Sequence, residues 1–414
     1  MRTVQQARQG GAPAWRVIAL AFAALTIAAC STNMGNTPTP TASITAPDAA
    51  EQAKRKPVKI ALLLPMGGMG ETAAVAKSMK QAAEMALFEL NDPSVQLITK
   101  DDGGTAVGAR AAAGAAVSEG AEVILGPLFA DSVKGAAPVA QQAGVPMLAF
   151  SNDRKVAGEG VYLMSFLAEQ EVDRIVSFAA ARGKRRFAAL IPDNAYGQAV
   201  EPAFRRAVAA AGGRVVVLEK YSATANGMLE PAKRVVEAIK SAEEGLVPVD
   251  ALFLPGGKEA LPQIGPVIAY SGLDTRKVKL LGTGAWDFPS VGHDDAFVGG
   301  WYPSPDPLAW KGFAERFAKT FGSSPPRIAS VAYDAVGLAI GLSSNPPGSR
   351  YTTANLTRPN GFAGVDGIVR FAADGTSERG LAVLEVQKFG ASVVDPAPAS
   401  FQPTKLSANE RTLR

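Results

Sequence analysis

From position 57 onward the chain alternates short apolar runs with longer amphipathic stretches, and that rhythm narrows its possible folds more than any other feature. The run KIALLLP over 59–65 reads as a buried strand, and 72–90 follows with Ala76, Met79, Ala83, Ala86, Leu87 and Leu90 at helical spacing. Strands over 95–99, 123–125 and 146–150 alternate with helices over 106–119 and 133–143. The rhythm resumes after Tyr162, with helices over 169–182, 198–211, 229–242 and 260–271. Strands over 187–191, 214–219, 251–254 and 279–281 lie between and after them. Strands bounded by Gly or Pro, alternating with helices of ten or more residues, build right-handed βαβ units and parallel sheets. Two such runs, parted over 158–166, predict an α/β protein of two doubly wound parallel-sheet lobes. The end of the chain departs from this pattern. Two helices are expected over 308–321 and 328–342, then a β-hairpin of 367–371 and 381–387 around Asp374-Gly375. Helices that late, followed by a hairpin, predict that the chain crosses back to finish both lobes.

The first 30 residues describe an export signal. Arg2, Arg8 and Arg16 are its only charged residues, and Val17 to Ala29 is apolar except for Thr26, a stretch too short to span a bilayer. Ile27-Ala28-Ala29-Cys30 resembles a lipobox, in which the cysteine is acylated and the peptide is cleaved before it; an ordinary signal peptide is the plainer alternative. Two or more acyl chains anchor a protein stably, at about 0.8 kcal/mol per buried methylene. Removing residues 1–29 takes away three arginines and no acid, so the formal +4 falls to +1, and the basic pI gives no argument for a nucleic-acid partner. Cys30 is the only cysteine, so once it is acylated no disulfide, redox or thiolate-metal role remains. Residues 31–56, rich in Ser, Thr, Pro and Ala without hydrophobic period, form a linker with a reach of ~30 Å if flexible.

Across 57–391 the chain resembles a type I periplasmic binding protein of the branched-chain amino acid group. The resemblance is carried by KIALLLPMGG (59–68), VILGPLFADSV (123–133), AGVPMLAFSND (143–153), LIPDNAYGQ (190–198), LFLPGG (252–257), LLGTGAWD (280–287), VAYDAV (331–336) and GVDGIVRFAADG (364–375). It implies two lobes joined by three hinge crossings, expected near 162–166, 299–303 and 360–364. The corresponding division is 57–163 with 302–358 for the first lobe, 164–301 with 359–395 for the second, and a tail over 396–414. The resemblance also implies a periplasmic, non-catalytic protein that captures a small polar ligand, an amino acid or derivative, for the permease of an ABC importer. One branch points elsewhere. GPLFADSV, AFSND and IPDNAYGQ resemble the penicillin-binding protein activators, outer-membrane lipoproteins that stimulate cell-wall synthases, without the helical repeats those proteins often carry in front. On that reading the partner is a penicillin-binding protein and the anchor lies in the outer membrane.

Ligands of open α/β sheets bind beyond the carboxyl ends of the strands. Those ends deliver 126–132, then Ser151, Asn152 and Asp153, then Asp193, Asn194 and Tyr196, and finally Gly284, Ala285 and Trp286. The resemblance implies that Ser132 and Ser151, with Asn152 beside them, hold a ligand carboxylate. Tyr196 and Asp287 would then hold its amine, with Trp286 as an aromatic anchor. Each has a plainer alternative: Ser132 and Ser151 as helix caps, Asp193-Asn194 as a turn, Trp286 as packed core. Phe129-Ala130-Asp131 replaces the family's usual Ser/Thr-rich stretch. Asp131 would repel a ligand carboxylate by about 1–4 kcal/mol at ~4 Å, so a cationic or neutral ligand, or no amino acid at all, is expected. Catalytic patterns are poor. His293 is the only histidine, Gly67-Gly68-Met69-Gly70 lacks a P-loop lysine, and Asp101-Asp102 before Gly103-Gly104 reads as a charged turn after an edge strand. Lys184-Arg185-Arg186 reads as a solvated corner. No enzyme, cofactor or metal is expected.

Overall fold

The computed structural model describes residues 57–401 except 223, 225, 226 and 246; the signal segment, Cys30, the linker and the tail after 401 lie outside the described residues. Strands β1 (Val58–Leu64), β2 (Val95–Asp101), β3 (Ala121–Leu125), β4 (Met147–Ala149) and β5 (Val161–Leu163) form one all-parallel sheet in the order β2-β1-β3-β4-β5. Helices α1 (Glu71–Leu90), α2 (Ala106–Ser118) and α3 (Ala130–Gln142) connect the first four strands. β1 shows why its run is apolar throughout. Val58, Ile60, Leu62 and Leu64 face one core with α1, while Ala61 and Leu63 face another with α2 and α3. A strand's side chains alternate, so helices on both faces demand apolar residues at both parities.

The second sheet repeats the scheme. Helix α4 (Ala168–Ala181) leads into β6 (Arg186–Pro192), α5 (Ala195–Ala210), β7 (Arg214–Tyr221), α6 (Leu229–Glu244), β8 (Ala251–Phe253), α7 (Leu261–Ser271), β9 (Lys279–Leu281) and β10 (Trp301–Ser304). Ala188 and Leu190 of β6 pack with α6 and α7, and Phe187, Ala189 and Ile191 pack with α4 and α5. The chain then returns to the first lobe. Helix α8 (Pro307–Phe321) sets Phe313 and Phe317 against Ala82 and Met85 of α1, and α9 (Ala329–Ser343) joins the core of β1 and α1. After the short α10 (Thr353–Leu356), strands β11 (Phe362–Gly364), β12 (Gly367–Phe371) and β13 (Ser377–Arg379) form a small antiparallel sheet. Finally β14 (Ala382–Val386) pairs antiparallel with β10, and β15 (Ala391–Asp395) with β14, closing the seven-stranded order β15-β14-β10-β9-β8-β6-β7.

Three expectations are corrected here. The turn at Asp374-Gly375 joins β12 to β13, not to 381–387, because Val369 and Phe371 belong to the first core, where the Phe371 ring lies 5.6 Å from Tyr162. Ala382, Val383 and Leu384 are buried at consecutive positions, the pattern of a sheet interior, so β14 inserts beside β10. Residues 359–379 therefore sit with the first lobe, and the last crossing falls at Gly380-Leu381 in place of 360–364. Likewise 301–304 is a strand of the second sheet, so the middle crossing follows Ser304. The outer crossings are tied together: the Arg379 N–H donates to Gln170 Oε1 at 3.1 Å, and Arg174 Nε donates to the Leu381 carbonyl at 2.7 Å. The Arg379 guanidinium also stacks 4.7 Å from the Phe166 ring.

Candidate functional site

The carboxyl ends of both sheets gather the predicted residues into two groups. In the first lobe, Gly126 carries the chain out of β3 with φ +90°, where a Cβ would lie 2.2 Å from the Leu63 carbonyl oxygen. Ser132 follows in the first turn of α3, fully buried, and its Oγ has no hydrogen-bond partner. It does not cap the helix. Ser151 does serve a turn: its Oγ accepts from the Asp153 N–H at 3.2 Å, and Asn152 beside it is exposed. Asp131 is exposed and paired with Lys134 at 2.9 Å, so the repulsion expected of it is largely neutralised within its own helix. Asp101 forms the expected exposed turn, but Asp102 is fully buried. Its Oδ1 accepts from the Gly104 N–H at 2.8 Å, its Oδ2 has no partner, and burial pushes its pKa up to about 6.

In the second lobe, Asn194 caps α5 by accepting from the Gly197 N–H at 3.0 Å, which places Tyr196 in the first turn. The Tyr196 hydroxyl meets Thr283 Oγ1 at 2.9 Å, and Thr283 donates to the Pro255 carbonyl at 3.2 Å. A threonine has one proton to give, so Tyr196 must donate to Thr283 and keeps only acceptor capacity. Burial, and then the charge of Glu171, raise the Tyr196 pKa. Trp286 is corrected to packed core: it is fully buried, donates from Nε1 to the Leu254 carbonyl at 2.9 Å, and lies edge-on to Phe297 at 5.4 Å. Asp287 is exposed and accepts from Ser304 Oγ at 2.9 Å.

Sequence reasoning missed Glu171. An acid in a helix's first turn reads as a favourable partner of the helix dipole, and nothing in its local spacing says more. In the fold its Oε2 accepts from the Gly284 N–H at 3.0 Å, and a Cβ on Gly284 would lie 2.6 Å from Oε1, so a larger residue there would push the carboxylate aside. Burial pushes the Glu171 pKa up to about 7; the Gly284 N–H opposes that rise and the Asp287 carboxylate adds to it, with no cation among the causes. The second lobe thus presents a carboxylate without a counter-charge beside a phenol that can only accept. Uncompensated, strongly shifted acids concentrate at functional sites.

Next to this pair is a cavity of about 450 Å³, lined by Tyr196, Tyr221, Met228, Pro255, Lys258 and Ala285 among others, all from the second lobe. Of the six expected ligand contacts, only Tyr196 lines it. Among the described residues, no group of His, Cys, Asp and Glu is placed to hold a metal, and no helix is long and apolar enough to cross a membrane.

The profile of the family described as periplasmic binding protein matches residues 57–391. The chain belongs to that family. It is a family of substrate-binding proteins, not of enzymes. A putative branched-chain amino acid ABC transporter protein from Rhodospirillum rubrum shares the fold at TM-score 0.71 and 21% identity, over 82% of this chain and 100% of that one. A substrate-binding protein from Desulfitobacterium hafniense in complex with Leu matches at TM-score 0.61 and 19% identity, over 82% and 100%. A solute-binding protein from Rhodopseudomonas palustris BisB5 in complex with 3,4-dihydroxybenzoic acid matches at 0.58 and 22%, over 82% and 96%. A comparison with curated protein sequences returns no match. The residues that line this cavity, and the Glu171–Tyr196 pair, belong to the second lobe.

Proposed function

We propose that the protein is an exported solute receptor, anchored through Cys30, that captures a small polar solute bearing an N–H donor and delivers it to an ABC permease. The carrying observation is the wall of Glu171 and Tyr196: Tyr196 keeps only acceptor capacity, and Glu171, when ionised, accepts from the Gly284 N–H with no cation among the charges that act on it. An ammonium or amide placed there supplies the missing donor and, when charged, the missing cation. Amino acids and their amine or amide derivatives fit this description, and the leucine complex of a structural relative is in keeping with it. The buried, unpartnered Ser132 Oγ in the first lobe would meet the solute's far side on closure.

A second reading has an observation of its own. No first-lobe residue lines the cavity, and Trp286 is not an anchor, which suits a protein whose closing on a solute is not its task. On that reading it is an activator of a penicillin-binding protein, held in the outer membrane, as IPDNAYGQ suggests. Thermal-shift screening of the mature protein against amino acids, amides and amines tests the first reading, since a solute at 100 times its Kd adds about 2.7 kcal/mol. A pull-down from envelope extract with wild type and Tyr196→Ala tests the second. Recovery of a penicillin-binding protein by both forms, with no solute hit, overturns the receptor; a solute hit lost in Tyr196→Ala overturns the activator.

A further inference from the structure

The chain passes between the lobes once more after its third crossing. β15 ends the second sheet at Asp395, whose Oδ2 accepts from Arg174 Nη2 at 2.6 Å. Arg174 also donates to the Leu381 carbonyl, so the end of β15 is fixed beside that crossing. Asp395-Pro396-Ala397-Pro398 then leads away. Each proline presses the residue before it into extended backbone, so the segment is a stiff spacer that gives up little freedom when it docks. Ala397 packs against the second lobe's core. Pro398 lies over Gly380, where a Cβ would come within 3.2 Å of the proline Cγ and of its carbonyl oxygen. Phe401 reaches the first lobe: its ring centroid lies 4.6 Å from the guanidinium carbon of Arg370 on β12. Other groups hold that guanidinium in place, since Nη2 donates to Glu378 Oε2 and Nη1 to the Pro359 carbonyl at 3.4 Å.

We propose that residues 396–401 are a strap across the third crossing, fastened by Phe401 on Arg370, that restricts the angle between the lobes. Its hold on the first lobe is a side-chain contact, which can release and leave the three crossings free to bend further. The strap needs no solute, and it acts in the same way whether the protein is a receptor or an activator.

Cys30 is the only cysteine, so the mature protein with Cys30→Ser, Lys77→Cys and Glu237→Cys carries one exposed spin-label site on each lobe. Double electron–electron resonance without solute reads the distribution of distances between the lobes. Phe401→Ala and Arg370→Gln each raise the population outside the main distance peak by about two- to fivefold, the equivalent of ~0.5–1 kcal/mol, and the double variant does no more than either alone. Removal of 396–414 broadens the distribution further, whereas removal of 402–414 leaves it as it was. An unchanged distribution after removal of 396–414 overturns the strap even where Tm falls, because the segment then adds only stability. Broadening caused by loss of 402–414 alone overturns it as well. So do additive effects of the Phe401 and Arg370 substitutions, which would place the fastening elsewhere.

Discussion

Replacing Glu171 by glutamine isolates the charge on which the site depends. The glutamine carbonyl can still accept from the Gly284 N–H, so the local frame stays. What is lost is an ionisable group whose pKa is about 7 in the fold against 4.5 as its ordinary value, raised first by burial and then by the Asp287 charge. A carboxyl with a raised folded pKa contributes its full relative stability below pH 4.5 and loses it as the pH climbs through 7. At 1.36 kcal/mol per pKa unit, this difference sets an upper value of about 3 kcal/mol for the strain of keeping Glu171 ionised. Glu171→Gln is therefore more stable than wild type at pH 8 by up to that amount. The gain shrinks through pH 7 to 5 and is gone below pH 4.5. With an unfolding entropy of ~2.1 cal/mol/K per residue, the shift at pH 8 is ~4 °C in Tm. Paired thermal melts of the mature proteins from pH 4 to 9 read it directly. A gain of equal size at pH 4.5 and pH 8, or none at either, refutes the reasoning, because the ionised carboxylate would then be compensated in the fold.

Trp286→Ala lowers stability by about 3–5 kcal/mol in urea denaturation, as removal of a fully buried Trp does, and changes no solute affinity of the folded protein at 25 °C; a selective loss of affinity would return Trp286 to the site. Cys30→Ser abolishes labelling by a palmitate analogue in cells and leaves the protein uncleaved by the lipoprotein route; persistent labelling refutes the lipid anchor. A saturating solute reduces the radius of gyration in small-angle scattering, because the three crossings allow a hinge; binding without compaction refutes a two-lobe grip.

The fold was legible because its main signals are periodic. β9 is read at its observed bounds, 279–281, and α1 begins one residue before the expected start, since strand and helix spacing are local properties of the sequence. Non-local strand pairing carries no such signal. Nothing near Phe371 says that its ring belongs beside Tyr162, more than two hundred residues earlier, so 367–371 was given the wrong partner strand. The site shows the same division. The end of β6 and the Asn194 cap made Tyr196 visible, because strand ends and helix starts are marked by Pro, Asn and Gly. Glu171 was invisible because its meaning depends on Gly284, which four strands and three helices separate from it in the chain. Trp286 misled for a related reason: a strand-end tryptophan looks the same in sequence whether it turns outward to a ligand or inward over Gly282 and Gly300.

The proposed receptor function requires an ionised Glu171, beside an acceptor-only Tyr196, to hold the donor head of a solute. Isothermal titration with the amine or amino acid picked out by thermal shift, repeated at pH 8, 7, 6 and 5 for wild type and Glu171→Gln, tests it most directly. For a cationic head, wild-type affinity should be greatest at pH 8 and fall below pH 7 by about tenfold per pH unit, as one proton displaces the ligand. Glu171→Gln should bind weakly and without that slope. Wild-type affinity that is independent of pH, or that is equal in the Glu171→Gln protein at pH 8, would contradict the claim.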